Sequence, residues 1–178
     1  NSLAGPADDI VPPPHTAKVD YEAELAVVIG RPGRHIAEAD ALSHVAGAMV
    51  LNDVSARDLQ MANPLWIGGK AIDGFAPCGP ALTLAPAAGD LGALGIRTRV
   101  NGETRQESTT AQFIFPVPRL VAFLSRIMTL VPGDIIATGT PPGVAAGMTP
   151  PRFLEPGDVV ECEVDGLGTL VNRVAPPA

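Results

Sequence analysis

The run Val19-Asp20-Tyr21-Glu22-Ala23-Glu24-Leu25-Ala26-Val27-Val28-Ile29-Gly30 constrains the fold more than any other stretch of this chain. Aliphatic and β-branched residues fill its second half, and Gly30-Arg31-Pro32-Gly33 closes it with turn residues, the pattern of a β-strand. Residues two apart on a strand share a face, so Glu22 and Glu24 point the same way with Cα atoms roughly 6.6 Å apart. Beyond them the same face turns apolar at Ala26 and Val28. Two carboxylates at the mouth of a buried face repel each other and lose hydration unless a cation or basic group sits between them. A hard divalent ion bound through oxygen resolves the conflict. An edge strand whose acidic end faces water resolves it equally well. The strand alone leaves both readings open.

The rest of the chain favours short strands over long helices. Nineteen glycines and 19 prolines in 178 residues leave little room for long helices and demand many turns. Apolar residues make up 46% but aromatics only 4%, so Val, Leu, Ile and Ala must build the core. The net charge of -7 and the lack of any basic cluster argue against a nucleic-acid partner. No apolar run approaches the ~20 residues that span a bilayer, so no membrane partner is expected. Cys78 and Cys162 form no metal-binding or redox spacing, which suits a reduced cytoplasmic enzyme and leaves one disulfide open. The chain starts at Asn1 without a methionine, and a segment upstream is expected.

Residues 1–18, with Pro12-Pro13-Pro14, read as an extended N-terminal arm, and residues 19–178 as a single domain. Residues 36–45 form a weak helix candidate. Gly47-Ala48-Met49-Val50-Leu51 reads as a buried strand ending at Asn52-Asp53, and residues 54–61 as a turn of helix or a loop. Asn63-Pro64 and Gly68-Gly69 break the chain before Lys70; residues 80–84 are a brief strand and 85–92 a loop. Ile96-Arg97-Thr98-Arg99-Val100 alternates and meets Asn101-Gly102, a hairpin turn, with 103–106 returning antiparallel. The clearest helix spans 117–129, with Pro118 in its first turn and Leu120, Leu124, Ile127 and Met128 as its apolar face. Leu130-Val131-Pro132-Gly133-Asp134 and Leu154-Glu155-Pro156-Gly157-Asp158 echo each other, marking two strands entered through the same Pro-Gly turn. The last hairpin turns at Asp165-Gly166 into a strand over 168–174.

Candidates for chemistry are polar residues at strand ends and in glycine loops. Asp53 is one. Lys70, one of two lysines, follows two glycines and can stabilise an anion or act as a base, or lie solvated in its loop. Thr138-Gly139-Thr140-Pro141-Pro142-Gly143 offers N–H groups and hydroxyls to an anionic oxygen, or is an ordinary turn, and it lacks the lysine of a P-loop. Arg57 and Gln60 could hold a substrate carboxylate or carbonyl, and Arg57-Asp58 could equally be a local surface pair. Glu161 and Glu163 alternate with Val160, Cys162 and Val164 and are expected to face solvent. His15, His35 and His44 have no ligand spacing and receive no role.

Together these segments resemble the fumarylacetoacetate hydrolase family, in particular its small bacterial acylpyruvase and 2-hydroxyhepta-2,4-diene-1,7-dioate isomerase-like members. The match rests on residues 19–30, on Leu51-Asn52-Asp53-Val54-Ser55-Ala56-Arg57-Asp58-Leu59-Gln60, on Gly69-Lys70-Ala71-Ile72-Asp73-Gly74-Phe75-Ala76-Pro77, and on Gly133-Asp134-Ile135-Ile136-Ala137-Thr138-Gly139-Thr140-Pro141. The tail Pro151-Arg152-Phe153-Leu154-Glu155-Pro156-Gly157-Asp158 extends it. The resemblance implies a β-rich α+β fold of rolled mixed sheets with few short helices, and a homodimer. It also implies a Mg²⁺ or Mn²⁺ site on Glu22, Glu24 and Asp53. Lys70 would lie beside an enolate oxygen, Arg57 and Gln60 would line the pocket, and Gly139 and Thr140 would bind a substrate carboxylate.

The implied activity is hydrolysis of a C–C bond in a 2,4-diketo acid of the acylpyruvate or fumarylpyruvate type, through an enolate. An isomerase, tautomerase or decarboxylase of related 2-oxo or 2-hydroxydienoic acids, such as oxaloacetate, is the alternative, and a non-catalytic ligand-binding relative a third. Members of the family carry an Asn-Tyr-x-x-His-x-x-Glu segment before the arm. It has no counterpart in this sequence, which leaves the water-activating base unassigned.

Overall fold

Alternation along the strands decides where the core lies. In the computed structural model the chain forms β1 (Leu3–Ala4), β2 (Val19–Asp20), β3 (Ala23–Ile29), β4 (Val45–Asn52), β5 (Ser55–Ala56) and β6 (Ala76–Leu84). It continues with β7 (Gly95–Val100), β8 (Glu103–Thr109), β9 (Ile135–Ala137), β10 (Val159–Val164) and β11 (Gly168–Arg173). Two helices, α1 (Arg57–Gln60) and α2 (Val117–Ile127), and short 3₁₀ turns join them. The structure describes every residue except Asn63 and Pro86. The break expected at Asn63, and Pro86 within the expected 85–92 loop, therefore lie outside the described residues.

Five strands form one mixed sheet in the order β1-β6-β4-β3-β9, with β1 parallel to β6 and the other pairs antiparallel. Four make an antiparallel sheet, β11-β10-β7-β8, and β2 pairs with β5 in a short ladder. This is the β-rich α+β class of rolled mixed sheets with few short helices. Within the first 18 residues, β1 pairs with β6, and the fully buried Ile10 bridges to Val174.

Leu25, Val27 and Ile29 of β3, with Ala48 and Val50 of β4, face the second sheet and join Ile96, Val160, Val164 and Leu170 in the main core. The opposite face of β3 and β4 carries a thinner cluster of Ala26, Met49 and Leu51, flanked by Val28, Cys78 and Ile135. Glu22 and Glu24 stand at the end of that second face.

Several expected elements change on folding. The single strand over 19–30 is two, β2 and β3, separated by Tyr21 and Glu22. Residues 38–44 wind as a 3₁₀ helix rather than an α-helix, and β4 begins already at Val45. The hairpin at Asn101-Gly102 forms with both turn residues at positive φ. Both Pro-Gly turns form alike, Asp134 accepting from Val131 N–H and Asp158 from Glu155 N–H through their carboxylates. Glu163 faces outward and pairs with Arg97 and Arg99.

Helix α2 corrects the expected face. Its buried residues are Val117, Val121, Ala122 and Ser125. Of the expected face Leu120 and Leu124 are half-buried, Leu124 packing on the main core, whereas Ile127 and Met128 are exposed. The helix ends at Ile127, two residues short of the expected 129. The Ser125 hydroxyl donates to Ala122 carbonyl and accepts from Ile36 N–H, so this polar side chain is satisfied while buried.

Both cysteines are free thiols, so the disulfide left open by the sequence is not formed. Burial, only partly offset by Thr98, pushes the Cys162 thiol up to about 12. A thiol reagent at about pH 8 is expected to label Cys78 and spare Cys162 until the chain unfolds, because only thiolate reacts; labelling of Cys162 in the native protein would contradict this packing. Leu25→Ala is expected to cost roughly 2–5 kcal/mol in chemical denaturation.

Candidate active site

Pairing of β3 with β4 sets the site. Glu24 lies opposite Leu51 and Ala23 opposite Asn52, so Glu22 falls beside Asp53, whose N–H donates to the Glu22 carbonyl. Glu22, Glu24 and Asp53 each offer a carboxylate oxygen, and the three lie within 4.8 Å of one another. Glu22 and Glu24 are buried and Asp53 is half-buried. The sequence reading of two carboxylates on one strand face, joined by a third, describes this cluster.

Two cations reach it. Lys70 follows the 3₁₀ turn Trp66–Gly69, and its Nζ donates to Glu22 Oε2 at 2.9 Å and to Asp53 Oδ2. The turn can pack this close because residue 69 is glycine: a Cβ there would come within 2.6 Å of the Gln60 Cβ and backbone N. Burial alone would lower the Lys70 pKa, but Asp53 and Glu22 hold it above its ordinary value. Arg57, at the start of α1, spends its guanidinium inside the protein. Nη2 lies 2.6 Å from Glu22 Oε1, Nη1 donates to Gln60 Oε1 at 2.9 Å, and Nε donates to Asp20 Oδ2 at 2.9 Å. Arg57 thus stands behind Glu22. The NH₂ of Gln60 has no partner among the described residues.

Glu24 is the exception in this charge balance. Among the described residues it has no ion-pair partner, and Gly139 N–H donates to its Oε2 at 2.7 Å. Burial pushes its pKa up to about 8; the Gly139 N–H opposes the shift, and Asp53 and Glu22 add to it. A buried carboxylate in an oxygen-only cluster, lacking its own cation, fits a hard divalent ion.

The loop after β9 brings Gly139 to Glu24. Gly139 sits at φ +98°, open to glycine and strained for a side chain. Thr138 hydroxyl donates to Leu25 carbonyl and Thr140 hydroxyl to Ala23 carbonyl, which hold the loop along the edge of β3. A cavity of about 520 Å³, lined in part by Ile96, Phe113, Phe115 and residues 138–142, adjoins the loop.

The structure therefore gathers Glu22, Glu24, Asp53, Lys70 and Gly139 in direct contact. Arg57 joins on Glu22, Gln60 through Arg57, and Thr140 through Ala23. No histidine belongs to the carboxylate cluster. Sequence reasoning missed Asp20, which is fully buried and binds Arg57 Nε as well as the N–H groups of Ala145 and Ala146. Its signal was present: Asp20, Glu22 and Glu24 recur at a spacing of two.

Comparison with known proteins agrees with this architecture. The sequence model described as Fumarylacetoacetate (FAA) hydrolase C-terminal matches residues 1–175. A human protein, oxaloacetate tautomerase FAHD2A, mitochondrial, is 48% identical over 176 residues, covering 98% of this chain and 56% of its own length. The chain thus spans a little over half of that relative. The structure of a fumarylacetoacetate hydrolase from Exiguobacterium antarcticum superposes with a TM-score of 0.93 at 44% identity, covering 98% of this chain and 63% of that one. A maleylpyruvate hydrolase from Sphingobium sp. SYK-6, in complex with manganese(II) and pyruvate, does so with a TM-score of 0.88 at 35% identity, covering 99% and 62%. The chain belongs to the fumarylacetoacetate hydrolase family.

Proposed function

We propose that this chain is the catalytic domain of a divalent-metal-dependent enzyme that shifts a proton on a 2-oxo acid, a tautomerase or isomerase of oxaloacetate-type or 2-hydroxydienoic acids. The observation that carries the reading is the Lys70 amine lodged against Glu22 and Asp53 at a cluster of three carboxylates. Glu22, Glu24 and Asp53 would hold Mg²⁺ or Mn²⁺. Such an ion, when bound, supplies Lewis-acid polarisation of the substrate's oxygens.

The chain's own groups do the rest. Arg57 and Asp20 keep Glu22 aimed at the cluster. The NH₂ of Gln60, without a partner among the described residues, would donate to a substrate oxygen, and in loop 138–141 the main-chain N–H of Thr140 would receive the carboxylate. Lys70 carries a proton at Nζ beside the reacting position, where it can protonate an enolate and take the proton back in the reverse direction. Keto–enol interconversion needs no attacking water, and the acid–base and hydrogen-bonding groups gathered here suit it. The name of the human relative, an oxaloacetate tautomerase, supports this choice.

Hydrolysis of a 2,4-diketo acid of the acylpyruvate or fumarylpyruvate type is the second reading, favoured by the similarity to the maleylpyruvate hydrolase. It requires a further base to activate water. Oxygen from labelled water appearing in an acid fragment would establish it, whereas tautomerisation yields no fragments.

We also infer a homodimer, with the exposed Met61, Trp66 and Ile67 on the segment leading to Lys70 as part of the covered surface. A monomer in analytical ultracentrifugation at about 10 μM would rule that out, since protein contacts of standard size bind more tightly than this.

Glu22→Gln is expected to abolish metal-dependent turnover of oxaloacetate enol by the full-length protein, and EDTA to do the same reversibly. Turnover that survives both would exclude the metal site. Lys70→Met is expected to lower kcat by roughly 10²–10⁴ while retaining metal binding, the loss typical of removing an acid–base group.

A further inference from the structure

Gln106 on β8 is buried, and its side-chain amide has every hydrogen-bonding position filled. Its Oε1 accepts from Ala23 N–H at 3.1 Å and from the Thr98 hydroxyl at 2.6 Å. Its Nε2 donates to Pro141 carbonyl at 2.7 Å and to the Thr140 hydroxyl at 2.8 Å. Two of these partners fix which way the amide faces. A main-chain N–H can only donate and a carbonyl can only accept, so a flipped amide would break both contacts.

The direction then passes along the network. Thr140 Oγ1 must accept from Nε2, so its own proton goes to Ala23 carbonyl, 2.9 Å away. Ala23 is gripped at both ends, its N–H by Gln106 and its C=O by Thr140, and it stands between Glu22 and Glu24. The Thr140 hydroxyl keeps no proton for a ligand. Gly139 N–H is already given to Glu24, whereas Thr140 N–H has no partner among the described residues.

We propose that Gln106 is the positioning residue of this site. It locks loop 138–141 in register with Ala23 and commits the Thr140 hydroxyl to the scaffold, so that a substrate carboxylate is received by the main-chain N–H of Thr140 and not by its hydroxyl. The inference rests on the reading of this loop as the anion-binding element.

The test is pyruvate binding to the full-length protein loaded with Mn²⁺, measured by calorimetry alongside Mn²⁺ affinity and thermal melting. The variants are Gln106→Met, Thr140→Val, their combination, and Thr140→Ser. Each of the first two is expected to weaken pyruvate roughly tenfold, about one lost hydrogen bond, with a smaller effect on Mn²⁺. The double variant is expected to lose no more than the weaker single one, since both break one network. Thr140→Ser is expected to restore wild-type binding.

Additive losses, or a folded Gln106→Met that binds pyruvate like the wild type, would overturn the proposal while leaving the functional reading intact. If Gln106→Met fails to fold, a crystal structure of the wild-type Mn²⁺–pyruvate complex decides. Thr140 Oγ1 within about 3.2 Å of the pyruvate carboxylate overturns it, and Oγ1 still on Ala23 carbonyl with the Thr140 N–H facing the carboxylate supports it. A wild-type protein that binds neither Mn²⁺ nor pyruvate would remove the functional reading and this inference together.

Discussion

Glu22 is held between two cations, Arg57 on one oxygen and Lys70 on the other, and the site is built outward from that grip. The charges alternate along a line: Asp20, Arg57, Glu22, Lys70, Asp53. Each buried carboxylate on the line meets a guanidinium or an ammonium, which is the condition for keeping ions out of water. Removing any one member strands its neighbour, so the line acts as a unit. Glu24 stands beside it without an ion-pair partner among the described residues, and burial, with Asp53 and Glu22 nearby, raises its pKa.

Neutral hydrogen bonds supply the other half of the frame. The loop after β9 is tied to β3 by two threonine hydroxyls, to β8 by Gln106, and to Tyr21 through its hydroxyl on Gly143 carbonyl. These bonds bring a glycine N–H to Glu24. The charged line sets where the carboxylates point, and the uncharged lattice sets what they point toward.

The parts of the fold set by local chemistry were legible in the sequence. Asn101-Gly102 can adopt positive φ at both residues and so announces its hairpin, and each Pro-Gly-Asp run carries its own capping carboxylate. Glu22, Glu24, Asp53 and Lys70 were candidates from strand position and the glycine loop alone, whereas their joint role as a metal site was implied only by the family resemblance, the strand pattern having left the matter open. What stayed hidden depends on tertiary partners. Thr98 and Gln106 are opposite each other at inward positions of β7 and β8, a polar pair where alternation calls for apolar residues. Nothing within that hairpin names the loop they serve, some 35 residues on. Helix α2 misled for a related reason: Ser125 is buried because Ile36, far away in sequence, offers it an N–H. The sequence offered both the N–H groups and the hydroxyls of the 138–143 loop to an anion and could not tell them apart, because the Thr140 hydroxyl is engaged by the carbonyl of Ala23, more than a hundred residues away.

Leu25 and Glu24 are neighbours on β3 that face opposite ways, one into the main core and the other into the carboxylate cluster. A slip of β3 by one residue would drive Glu22 and Glu24 into the hydrocarbon between the sheets and turn Leu25 and Val27 outward. The acidic residues therefore discipline folding as well as serving the site: misaligned pairings are penalised by charge burial and by lost apolar contact at once. A chain of this kind can carry loosely packed connecting loops and still arrive at one alignment of its central strands.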